Sequence, residues 1–118
     1  FGKDFATKDG TTVRDFIHVS DLSNVHYKFS KIIQKNKLRF IVNCGYGTGY
    51  SVLDVVNKFN SILDKKIKFN FKPKRKNEIE YSVADNKKIK KFIKLKTSRK
   101  KLFLMIKSSL DWYRNNYN

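Results

Sequence analysis

The stretch TKDGTTVRDFIHVSDL, residues 7–22, combines a turn, a strand and a helix start within sixteen positions. Its first half is polar and contains Asp9-Gly10, a pair suited to a tight reversal because glycine accepts a positive φ without a Cβ clash. Phe16, Ile17 and Val19 then supply the aromatic and β-branched character of a short strand. Ser20 or Asp21 is placed to cap a helix directly after it. Arg14 and Asp15 stand at the start of that strand. A guanidinium fixed beside backbone structure is a common way to build a phosphate or carboxylate site. The alternative is an ordinary surface pair of opposite charges.

Working outward, strand and helix patterns alternate. Leu22, Val25, Phe29, Ile32 and Ile33 recur at three- and four-residue spacing, predicting an amphipathic helix over 21–36. Residues 38–43 form a short apolar run of strand type. Gly45, Gly47 and Gly49 make a loop, and Ser51 with Asp54 gives a capping-box pattern for a second helix reaching about residue 63. Ile67, Phe69 and Phe71 alternate with Lys68 and Asn70, predicting a strand with one wet face that Pro73 ends. A polar loop over 74–80 and a short extended piece over 81–84 follow. Asp85 or Asn86 then caps a helical turn with Ile89, Phe92 and Ile93, and a last helix spans roughly 98–117 with Leu102, Met105, Ile106, Leu110 and Tyr113 on one stripe. The fold class is α/β or α+β, in one domain of 118 residues.

No apolar run approaches the ~20 residues of a membrane span, and no signal peptide opens the sequence. The single cysteine, Cys44, excludes an internal disulfide and a cysteine-built metal site and fits a reducing, cytoplasmic setting. The first residue is Phe, which leads us to expect a fragment or excised domain. The net charge of +17 is the footprint expected of a nucleic-acid-binding module. Yet among the 27 Lys and Arg only Arg14, Arg39, Arg75, Arg99 and Arg114 are arginines. The lysines, with abundant Asn, Ile and Phe, share A- and T-rich codons, and most are dispersed over solvated faces. Nucleic acid is therefore the alternative and not the first reading.

Two patterns resemble cofactor chemistry. Gly45-Tyr46-Gly47-Thr48-Gly49 lies between a strand and a helix as a dinucleotide loop does, but its spacing is GxGxG and no acidic residue ends the next strand. A tight turn bordering a site suits it better. Tyr27 and Lys31 have the spacing of a proton-transfer pair, yet no glycine-rich unit precedes them. His18 and His26 lack partners at ligand spacing, so no metal site is expected; His18 should hydrogen-bond locally near Asp21, and Cys44 should be a small buried hydrophobe. No catalytic constellation is evident.

Phe1-Gly2-Lys3-Asp4-Phe5, Asp9-Gly10-Thr11, Val13 to Val19 and Asp21-Leu22 resemble the C-terminal portion of UDP-glucose 4-epimerases, in the extended short-chain dehydrogenase superfamily. The resemblance continues through Asn43-Cys44-Gly45, Gly47, Gly49, residues 51–56, Pro73-Lys74-Arg75 and Ala84-Asp85 to near Trp112. It implies an α+β nucleotide-sugar-binding domain over 1–118 whose Rossmann half is not in this chain. That half would bind NAD and carry the catalytic Tyr/Lys pair, so this chain should hold no catalytic or cofactor-binding residue and should be inactive alone. NAD would take a hydride from C4 of UDP-glucose or UDP-galactose and return it to the other face of the rotated 4-keto sugar. By the resemblance, Arg14 and Arg75 grip the diphosphate, Phe1 lies beside the uracil, Val52 touches the nucleoside and Glu78 accepts from the ribose hydroxyls. Phe16 stands where a tyrosine is typical, and Asn77 where a glycine is. Ser82 falls where a larger residue limits space around the sugar C2 substituent, which permits UDP-N-acetylhexosamines. Other nucleotide-sugar epimerases or dehydratases of the superfamily are the near alternatives, and a family homodimer is expected only of a complete protein.

Overall fold

A computed structural model describes residues 1–36, 39, 41–95 and 101–117. The order of elements is β1 (Val13–Arg14), α1 (Val19–Asn36), β2 (Tyr50–Ser51), α2 (Val52–Asn60), β3 (Tyr81–Ser82), α3 (Lys87–Lys90) and α4 (Leu102–Tyr117). The sheet is mixed, in the order β2-β1-β3. Val13 and Arg14 face Ser51 and Tyr50 antiparallel on one side, and Tyr81 and Ser82 parallel on the other.

The reversal before β1 forms as read: Gly10 sits at φ 75, its carbonyl accepts from Phe5 N at 3.1 Å, and its own N–H reaches Thr7 O at 3.3 Å. The strand itself is displaced from the reading. It is Val13–Arg14, while 15–18 are irregular and Val19 is already helical. The side chain of Asp15 explains this, because it gathers backbone amides from other segments at the point where a ladder would continue. Neither Ser20 nor Asp21 caps α1. His18 occupies the capping position: its Nδ1 accepts Ser20 N–H at 3.1 Å and its carbonyl accepts from Asp21 and Leu22.

In α2 the expected capping box is complete. Ser51 Oγ accepts Asp54 N–H at 2.9 Å, and Asp54 Oδ2 accepts Ser51 N–H at 3.0 Å. Turns continue the element to Leu63, whose N–H bonds Phe59 O. Of the strand expected over 38–43, Leu38 and Phe40 lie outside the described residues, and 41–43 are extended without ladder pairing. Residues 67–71 form no strand either and stay exposed; the backbone bond nearby is Gly2 N–H to Lys72 O at 2.7 Å. For α3, Asp85 Oδ1 accepts Lys87 N–H at 2.9 Å, whereas the side chain of Asn86 turns to Gly45 O. The last helix starts at Leu102, residues 98–100 lying outside the described residues; Leu102, Met105 and Ile106 are buried but Tyr113 is exposed.

The core joins Val25 and Phe29 of α1 to Ile89 and Ile93 around α3, with Ile32, Val42, Cys44 and Leu95 packed against them. Ile89 is fully enclosed at 0 % exposure. A second contact brings α4 against α2. The molecule is nevertheless open. A monomer of 14.0 kDa is expected to expose roughly 6,700 Å², and this chain exposes 9136 Å². Its radius of gyration is 17.0 Å, against about 13.5 Å for a compact chain of this length. Among the described residues no helix is long and apolar enough to cross a membrane.

Because Ile89 has no solvent to relax into, Ile89→Val should destabilise by about 0.5–1.5 kcal/mol and Ile89→Ala by about 2–5 kcal/mol. Urea unfolding midpoints check this; equal midpoints for the three proteins would contradict the packing described.

Candidate functional site

β1 is central in the sheet, and Arg14 and Asp15 leave it toward different partners. Arg14 Nη1 donates to Val13 O at 2.8 Å and, more weakly, to Glu80 O at 3.4 Å; Nη2 donates to Ile79 O at 2.6 Å. The guanidinium is therefore fixed against the 79–80 backbone. Asp15 does not serve as its surface partner. Oδ1 accepts Tyr46 N–H at 3.1 Å, and Oδ2 accepts Gly47 N–H at 2.8 Å and Ala84 N–H at 3.3 Å. Adjacent residues of an extended strand project to opposite sides, which separates the two charges.

Between these anchors lies an open cleft of about 520 Å³ lined by Arg14, Asp15, Val42, Asn43, Cys44, Ser82, Val83 and Ala84. Cys44 is half-buried there. Burial, and secondarily the charge of Asp15, pushes its thiol above the ordinary range, so it behaves as a packing residue and not as a reactive thiolate. The glycine loop holds its shape by close approach: a Cβ at Gly45 would lie 2.5 Å from Asp15 Oδ2 and 2.6 Å from Ala84 Cβ. Asn86 Nδ2 bonds Gly45 O at 3.1 Å, and the Tyr46 hydroxyl donates to buried Asp21 at 2.6 Å. The amides of Tyr46 and Gly47 are already taken by Asp15, so this loop does not fit a dinucleotide phosphate. It is a turn bordering the cleft. Tyr27 and Lys31 meet only as a cation over an exposed ring, 5.4 Å from its centroid.

Of the other site residues read from the sequence, Arg75 and Glu78 lie on the 75–80 turn and Phe1 meets Arg75. The Arg75 Cζ lies over the Phe1 ring, 3.8 Å from its centroid. Stacking uses the guanidinium face, and its N–H donors lie in the plane and point sideways. Asn77 adopts φ 60, the left-handed conformation expected of it. Glu78 N–H reaches Arg75 O at 3.4 Å, and Glu78 Oε2 is buried without a hydrogen-bond partner. Through Ile79 and Glu80, which Arg14 holds, the turn joins Arg14 to Arg75 and Glu78. Val52 opens α2, its N–H bonding Thr12 O at 3.1 Å beside β1. Phe16 is half-buried two residues past Arg14, and Ser82 is exposed in β3. Of these residues only Arg14 and Ser82 line the cleft itself.

His18 meets Ser108 as well as Ser20. Its Nδ1 accepts from Ser20 N, so the ring proton sits on Nε2 and is donated to Ser108 Oγ at 2.9 Å, which in turn donates to Met105 O. This pins α4 to the start of α1. The sequence offers no spacing that foretells the Asp15, Tyr46–Asp21 or His18–Ser108 pairings, because each joins segments far apart in the chain.

No protein-family model matches the chain. Its whole length is 37% identical to part of the UDP-glucose 4-epimerase of Bacillus subtilis. A solved UDP-glucose 4-epimerase from Stenotrophomonas maltophila, with bound NAD and formylated UDP-arabinopyranose, superposes on 98% of the chain with TM-score 0.88 at 31% identity. The chain matches the C-terminal third of UDP-glucose 4-epimerases. The epimerase of Bifidobacterium longum, in complex with NAD+ and UDP, superposes on 98% of it with TM-score 0.84 at 34% identity. In each case the chain spans only 34% of the relative's own length. The α+β architecture read from the sequence is thus that of the C-terminal domain of these epimerases.

One acid-sensitive joint holds β2 to the opening turn. Asp9 accepts from Thr11 N at 3.0 Å, Thr11 Oγ1 at 2.7 Å and Ser51 Oγ. Burial pushes its carboxyl up, but the hydrogen bonds from Ser51 and Thr11 together outweigh that and hold it below the ordinary 3.8. A lowered folded-state value stabilises the fold above the unfolded value and loses that contribution as pH falls through the folded one. Wild type should therefore melt above Asp9→Asn at neutral pH, with the gap closing on acidification below about pH 3.8. Melting curves across that range check this; a gap that is constant with pH would contradict it.

Proposed function

We propose that this chain is the nucleotide-sugar-holding part of an NAD-dependent UDP-hexose 4-epimerase, an isomerase acting on UDP-glucose and UDP-galactose. The single observation that carries the reading is its full-length superposition on solved epimerases, one of which holds NAD and UDP. The geometry agrees with it. Arg14 lines the cleft, and a diphosphate oxygen is a stronger acceptor than the neutral carbonyls of Ile79 and Glu80, from which its donors would turn. Arg75 keeps its in-plane donors while its face covers Phe1, the residue matched to the uracil position. Glu78 carries a buried acceptor without a donor, the kind of group that a ribose hydroxyl satisfies.

NAD would supply hydride abstraction and return at the sugar, and this chain contributes no cradle for it, since its glycine-loop amides are occupied by Asp15. We assign cofactor and catalytic groups to a second domain outside residues 1–118, whose docking would cover the roughly 2,400 Å² by which this chain exceeds a compact monomer. The chain by itself would be inactive. Any dimer contacts belong to that complete protein, and the lone Cys44 suits a cytoplasmic enzyme. Exposed Ser82 leaves room beside Arg14 for an N-acetyl group, which extends the substrate class to UDP-N-acetylhexosamines.

In the protein that carries this chain, Arg14→Ala should weaken UDP binding by about 1.5–3 kcal/mol, the range for a hydrogen bond to a charged group. Calorimetric titration with UDP reads this directly. An unchanged Kd would remove Arg14 from the diphosphate site.

A further inference from the structure

Asp15 presents an electrostatic contradiction. A carboxylate beside Arg14 in a cleft that takes a diphosphate repels the ligand. Its lone pairs do not point at a ligand, however. They receive three backbone N–H groups: Tyr46 at 3.1 Å and Gly47 at 2.8 Å from one wall, and Ala84 at 3.3 Å from the other. Its own N–H donates to Ser82 O at 3.2 Å. One residue thereby ties three segments that are 31 to 69 positions apart. The fit leaves no slack, since a methyl group at Gly45 would meet both Asp15 Oδ2 and Ala84 Cβ within 2.6 Å.

We propose that Asp15 is a positioning residue, which fixes the spacing between the 44–47 and 82–84 walls of the cleft and so sets the place of Ser82 and of the adjacent Arg14 for the nucleotide sugar. This rests on the nucleotide-sugar reading above. Two features of the geometry require an acid at this position. Three donors approaching from two directions need two acceptor oxygens, and an asparagine offers one, turning its NH₂ toward the other N–H groups. Hydrogen bonds to an ionised acceptor are also roughly twice as strong as neutral ones. The glutamate alternative is one methylene longer, where Gly45 already has no space to give.

The sign of the effect separates this role from simple proximity. If the carboxylate were merely a like charge near the ligand, Asp15→Asn would bind UDP more tightly. As the spacer of the walls, it weakens UDP binding about tenfold or more, the equivalent of one charged hydrogen bond, when the full protein is titrated. Hydrogen exchange on the same variant should show lost protection at the amides of Tyr46, Gly47 and Ala84, with Val52 N–H, bonded to Thr12 O, unchanged. Gly45→Ala, which forces the same walls apart with Asp15 intact, should weaken UDP in parallel and serves if Asp15→Asn does not fold. Unchanged or tighter UDP binding with the three amides deprotected overturns the proposal, as does retained protection. Wild-type protein that fails to bind UDP overturns the nucleotide-sugar reading instead, and the exchange pattern still decides whether Asp15 holds the walls.

Discussion

Segments from distant parts of the chain meet on residues 12–15, in and beside β1, and the hydrogen bonds made there hold the molecule in shape. Val13 N–H donates to Glu80 O, Val52 N–H to Thr12 O and Asp15 N–H to Ser82 O, while the Asp15 carboxylate collects amides from the 46–47 loop and from Ala84. Strands of two residues cannot stabilise themselves. What stabilises this junction is that side chains continue the ladder where backbone pairing stops: Ser51 and Asp54 box the start of α2, Asp9 reaches across to Ser51, and Arg14 fastens the 79–80 backbone. The cleft is a consequence of this arrangement, since the same residues that close the junction form its walls.

The open surface has the opposite character. Ile41 is 86 % exposed and Trp112 59 %, and the extended residues 67–71 carry a row of apolar side chains that no strand covers. Burial of apolar surface is worth roughly 25 cal/mol per Å², and these exposed apolar side chains leave that stabilisation unused. The chain itself spans about a third of the length of the epimerases it matches.

The basic charge is a secondary matter at this site. Of 27 cationic side chains, the two that we propose for the diphosphate are arginines, and both have specific contacts, one to carbonyls and one to a ring. A generic polyanion surface would instead present many mobile lysine heads. The dispersed lysines raise the surrounding potential and assist approach of an anion without selecting it.

The local elements were legible in the residues alone. The Asp9-Gly10 reversal, the 3.6-residue stripe of α1, the Ser51/Asp54 box and the left-handed Asn77 are all determined within four or five positions, where chain stereochemistry decides. The motif wording over residues 13–22 and 43–56 resembles that of the epimerases whose C-terminal third the chain matches. What only the tertiary structure decided were the contacts between segments thirty or more positions apart. Asp15 reads as half of a charge pair, yet it serves two loops; His18 reads as a neighbour of Asp21, yet it caps α1 and bonds Ser108; residues 67–71 alternate like a strand and have none to join. A strand, a capping partner and a buried carboxylate are all completed by donors or acceptors brought from elsewhere, and local sequence does not encode which distant groups the fold delivers.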